Sequence, residues 1–148
     1  MKWVTRARPK TDRLACPWLI RRFIEPEAEI LYVPTDRVLA VAAAGESCSF
    51  DSDGADFTHR GNQCSFEVMV EEFMLTEDPA LVRLAQIVHA ADIDTELHTD
   101  PLGPGLLALG LGGLDVEEDD QVLLDRAMFV YDALYAWCKQ QTAVGGST

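Results

Sequence analysis

The sequence predicts an α+β domain, with a small mixed sheet of about four short strands in the N-terminal half packed against a mainly helical C-terminal half. Three observations carry that prediction. Strand-like and helix-like segments alternate up to His59. From Ser65 onward the apolar spacing is helical. The 148 residues, 48% of them hydrophobic, are enough for one core without staples. A single domain over residues 1–142 is expected, with the segment 143–148 (AVGGST) as a disordered tail.

The elements follow in order. Lys2–Ala7 alternates as a strand, with Lys2, Val4, Arg6 and Arg8 on one face. Thr11 or Asp12 caps a helix to about Ile24, with Pro17 loosening its first turn. Glu29–Val33 is an apolar run before Pro34 and reads as a buried strand. Thr35 or Asp36 caps an alanine-rich helix that stops at Gly45. Cys48–Asp51 and Ala55–His59 flank the turn Ser52-Asp53-Gly54 and predict a hairpin. Ser65 opens a helix to about Leu75, and Asp78-Pro79 caps another to Asp92. A loop over 94–105 leads to a short helix at Leu106–Leu111, whose glycine-rich surroundings suit close packing. The acidic run Asp115–Asp120 precedes a largely buried final helix, Gln121–Gln140.

Charge is unevenly distributed. The net charge is −13, yet residues 1–22 hold seven of the twelve Lys and Arg against one acid, Asp12. An acidic body argues against duplex nucleic acid, which needs a basic face. A local basic patch suits a small oxyanion, because guanidinium groups bind oxyanions bidentately. The candidate anion-binding residues are Arg6, Arg8, Lys10, Asp12, Arg21 and Arg60. The first four cluster where a strand end meets a helix N-terminus. Internal pairing of these arginines with the protein's own carboxylates would explain the same residues.

Two further segments carry reactive groups. Asp56-Phe57-Thr58-His59-Arg60-Gly61-Asn62-Gln63-Cys64-Ser65-Phe66-Glu67 spans a strand-to-helix turn. Cys64 lies at a helix N-terminus, where a thiolate is favoured. His89-Ala90-Ala91-Asp92 places two groups one helical turn apart. The metal candidates are His59, Glu67, His89 and Asp92, a set suited to a divalent zinc, manganese or iron ion. The catalytic candidates are His59 as acid or base, and Cys16 and Cys64 for redox or nucleophilic work. The bland reading makes Glu67 a helix cap and His89 a partner of its helix C-terminus. The four cysteines include no CxxC, and the segment before Thr11 is basic rather than apolar. Reduced thiols, a cytoplasmic location and no membrane association are therefore expected, with oligomerisation left open. No phosphate-cradling glycine motif or GxSxG elbow occurs.

The run from Thr5 to Ile24 (TRARPKTDRLACPWLIRRFI) resembles the opening of the chromate-resistance ChrB-type domain family. The resemblance continues through Phe57-Thr58-His59-Arg60-Gly61, Cys64-Ser65-Phe66-Glu67, Ile87-Val88-His89-Ala90-Ala91-Asp92 and Val130–Cys138. It implies a role linked to chromate resistance. Two functions are consistent with it and with the residues. One is an enzyme with an arginine-rich oxyanion site beside a His/carboxylate metal or acid–base site. The other is a non-catalytic sensor or regulatory module for chromate-like oxyanions. Convergence of His59, Glu67 and Asp92 on the arginine face of the first strand would favour a site.

Overall fold

A computed structural model describes residues 1–146 of the chain. Three strands form one sheet: β1 (Lys2–Arg6), β2 (Glu29–Val33) and β3 (Cys48–Ser49). Their order is β2-β1-β3, and both pairings are parallel. Each strand is joined to the next through a helix, which is what parallel pairing demands. The first connection contains α1 (Asp12–Leu19), which continues as a π-helical turn over Ile20–Ile24. The second contains α2 (Val38–Ala44).

The α+β class holds, but the sheet has three strands and is parallel, not mixed. The expected hairpin does not form. Asp51 takes a left-handed conformation (φ 48°), which ends the strand after Phe50. The Asp56 carboxylate then accepts from the Ser49 amide and hydroxyl, occupying the site a second strand would use. Only a single bridge, Phe50 to Phe57, remains.

Central β1 is covered on both faces, as a parallel strand requires. Val4 packs with Val38 and Ala42 of α2 on one side. Trp3 and Ile30 enter the main core on the other, with Trp18 and Leu19 of α1. Four more helices complete that core. These are α3 (Ser65–Glu72), α4 (Pro79–Asp92), α5 (Gly103–Val116) and α6 (Asp120–Gly146). Helix α5 is longer than expected at both ends. It begins at Gly103-Pro104, where proline suits a first turn. Helix α6 buries one face, through Leu123, Leu124, Ala127, Met128, Tyr131 and Cys138, and leaves Phe129 exposed. It is thus amphipathic rather than buried all round. It also runs past residue 142 through Gly146, into the stretch expected to be a tail, whose last two residues, 147 and 148, lie outside the described chain.

Candidate functional site

The order β2-β1-β3 makes the carboxyl ends of β1 and β3 a switch point: the chain leaves β1 toward one side and returns to its other side. Crevices of this kind hold ligands in parallel sheets. Arg6 ends β1, and Asp51 follows β3. Asp12 and Arg13 open α1 beside them, and His59 arrives on the loop between β3 and α3.

His59 is the hub. Its Nε2 lies 3.1 Å from Asp92 Oδ2, 3.3 Å from Asp51 Oδ1 and 3.5 Å from Asp12 Oδ2. Asp51 is in turn the anchor for both arginines. Arg6 donates to its carbonyl at 2.8 Å and to Oδ2 at 3.2 Å, and Arg13 Nε lies 3.4 Å from Oδ2. The Ser65 hydroxyl donates to Asp51 Oδ1 at 2.7 Å. Asp12 is fully buried and accepts from two amides at the start of α3, Ser65 at 2.7 Å and Phe66 at 3.1 Å. A helix N-terminus thus stabilises its negative charge.

The electrostatics follow from this crowding. Burial pushes the Asp12 carboxyl up to about 7, against the hydrogen bond from His59 and assisted by the charges of Asp92 and Asp51. Burial, then the charge of Asp51, also raises Asp92. Asp51 is held below the ordinary carboxylate range in spite of its burial, by His59, Ser65, Arg6 and Arg13. Hydrogen bonds to Asp12 and Asp51 lift His59 to about 10. The cluster is not sealed. His59 is 43% exposed, and with Arg6 and Asp51 it lines a cleft of about 460 Å³ that Thr35, Asp36 and Thr58 complete.

The expected metal residues do not form one set. His59, Asp92 and Asp12 have ligand atoms within 4.8 Å of one another, and Cys64, Glu67 and His89 form a second such group. Glu67 does not reach the arginine face. Its Oε1 accepts from the Cys64 amide at 2.9 Å and contacts His89 Nδ1. The His89-Ala90-Ala91-Asp92 turn therefore gives one residue to each group.

Of the basic residues proposed from the sequence, only Arg6 stays at the crevice. Arg8 is left-handed (φ 57°), which breaks strand alternation and separates it from Arg6. It pairs with Asp120 at 2.8 Å and donates to the carbonyls of Leu114, Glu117 and Glu118. Lys10 lies beside α5, in the wall of an apolar cleft between α5 and α6. Arg21 donates to the Ala28 carbonyl, and Arg60 pairs with Glu71 and Glu72 on the surface. Cys16 and Cys64 are fully buried. Burial and the nearby Asp12 charge push both thiols up, opposite to the activation expected at a helix start. Asp51, Arg13 and Ser65 belong to the site and were missed as candidates. The signal for Asp51 was its place just after an apolar strand, where a parallel sheet carries its ligands.

Residues 3–138 match the family described as ChrB, C-terminal domain. The chain belongs to the ChrB C-terminal domain family. Consistent with that, the ChrB domain is 40% identical over 134 residues to Protein ChrB of Cupriavidus metallidurans. The match covers 90% of this chain but 40% of that protein, so the ChrB domain spans well under half of its relative's length. No solved structure matches the chain. Among the described residues, no helix is long and apolar enough to cross a membrane.

Proposed function

We propose that the ChrB domain binds a divalent metal through His59, Asp12 and Asp92, and that metal and Arg6 together receive a chromate-like oxyanion from the cleft. One observation carries the reading: three carboxylates lie within 3.5 Å of one imidazole nitrogen at an open crevice. The two arginines there are both engaged by Asp51. Asp12 and Asp92 then repel an anion unless a cation offsets them. An oxygen-rich set with one imidazole suits manganese, iron(II) or zinc. Metal charge together with Arg6 would make the crevice attractive to a tetrahedral dianion. The chromate link comes from the resemblance to the chromate-resistance ChrB-type family, which the match over residues 3–138 supports. A role in the cytoplasm, in the wider chromate and stress response, is part of the same proposal.

A second reading has its own support. If His59 is protonated, one imidazolium and two guanidinium groups match three carboxylates without any metal, and His59 is lifted to about 10. The domain would then be a metal-free sensor or regulatory module. Calorimetric titration of metal-free protein with Mn²⁺ and Zn²⁺ separates the two. The metal reading expects one equivalent to be lost in both His59→Ala and Asp92→Asn. It also expects chromate to bind only after metal loading. Unchanged stoichiometry in His59→Ala, or chromate binding to metal-free protein, sinks it in favour of the sensor.

A further inference from the structure

The second ligand group also sits at the α3 N-terminus and shares no residue with the first. Cys64 is the residue before α3, Glu67 is in its first turn, and His89 approaches from α4. Part of this arrangement is local. The Cys64 sulfur accepts from the Glu67 amide while the Glu67 carboxylate accepts from the Cys64 amide, a reciprocal cap of the helix. Capping accounts for two of the residues but not for the third. His89 caps nothing here, yet its Nδ1 is directed at the capping carboxylate from a different helix. Sulfur, carboxylate oxygen and imidazole nitrogen lie within 4.8 Å of one another.

We propose that Cys64, Glu67 and His89 form a zinc site. A mixed thiolate, imidazole and carboxylate set is softer than the oxygen-rich set around His59, and it selects zinc over manganese. Three protein ligands leave one tetrahedral position open. The structure has room for it: a cleft of about 410 Å³ opens on Glu67 and His89, bordered by Gln86, Thr99 and Asp100. Asp100 is paired with Arg83, so water or a small ligand fills the fourth place. Binding needs no oxidant or reductant. The Sγ–H bond of Cys64 breaks, the proton leaves to solvent, and the sulfur lone pair forms the bond to the metal. The contact between His89 Nδ1 and Glu67 opens, the ring takes the tautomer with its proton on Nε2, and the freed Nδ1 lone pair and the Glu67 carboxylate turn to the ion.

Cobalt(II) is the probe, because it occupies zinc sites and reports a thiolate ligand by near-ultraviolet charge-transfer absorption. Metal-free protein titrated with Co²⁺ is expected to develop that absorption at one equivalent, and Zn²⁺ is expected to abolish it. Cys64→Ser should remove it. His89→Gln, which leaves the buried sulfur in place, should weaken cobalt binding at least tenfold. Asp92→Asn should leave the absorption intact, so a failure of the His59 site would not be mistaken for a failure of this one. Manganese binding should in turn survive Cys64→Ser, which also shows that the variant is folded. Absence of the thiolate absorption in the wild type overturns the proposal. So does its persistence in Cys64→Ser, or an unaltered affinity in His89→Gln.

Discussion

At the scale of single residues, several unusual choices repair one another. Pro17 lies inside α1 and has no N–H, so the carbonyl one turn earlier, on Arg13, loses its helical partner. The Tyr32 hydroxyl of β2 takes that place, donating to the Arg13 carbonyl at 2.6 Å. The proline thus becomes a cross-link between helix and sheet. Tyr32→Phe should cost about 1–2 kcal/mol, the loss of a partly buried hydrogen bond that leaves its acceptor without a protein donor, measured by urea denaturation. Pro17→Ala in the same background should recover part of it by restoring a backbone donor. The candidate site divides in the same residue-by-residue way. His59, Asp12 and Asp92 were legible because their chemistry is conspicuous and two of them lie in compact motifs. Asp51 and Arg13 were not: the position of Asp51 after a short strand becomes telling only once that strand is known to be parallel, and Arg13 is one of several arginines in its segment. Their importance arises when β3 brings Asp51 level with Arg6, forty-five positions away along the chain.

At the scale of elements, α5 shows how glycine sets a distance. A Cβ on Gly110 would lie 2.2 Å from the Lys10 carbonyl oxygen, so the helix rests directly on the loop after β1. Gly112 faces open space. The pair makes a controlled comparison. Gly110→Ala should destabilise by roughly 1–3 kcal/mol through overpacking. Gly112→Ala should stabilise by up to about 1 kcal/mol, since alanine is the better helix former. Equal midpoints for the two variants in urea would refute the close approach. The helices were legible because their caps and apolar spacing are local signals, as with Asp78, which accepts from the amides of Ala80 and Leu81. The hairpin failed for the opposite reason. A turn sequence between two short apolar runs is compatible with pairing, but Asp51 and Asp56 divert the chain through side-chain bonds that spacing does not reveal.

At the scale of the whole molecule, the basic N-terminal segment is largely neutralised from within, and α6 supplies much of the charge. Arg8 meets Asp120, and Arg22 and Trp18 both bond Asp132. The hydrogen bond from Arg22, with that from Trp18, holds Asp132 below its ordinary value of 3.8. A carboxylate lowered by folding stabilises fully above its unfolded pKa and loses that contribution as pH falls through the folded one. Asp132→Asn should therefore lower the urea midpoint near neutral pH, and the gap to wild type should close below about pH 3.8. The pair is exposed, so the gap is small, and a gap that widens in acid would exclude this account. The clasp also bears on how the protein is made. Trp18 and its partner Asp132 are separated by 114 positions, and Trp18 packs against Tyr131 and Tyr135 of α6. On the ribosome, at about 5–20 residues per second, the tryptophan face of α1 waits roughly 5–20 s for its cover. Nascent chains of this protein are thus exposed to chaperones and proteases until α6 has been made, and mutations that loosen α6 should lower yield before they alter the finished fold.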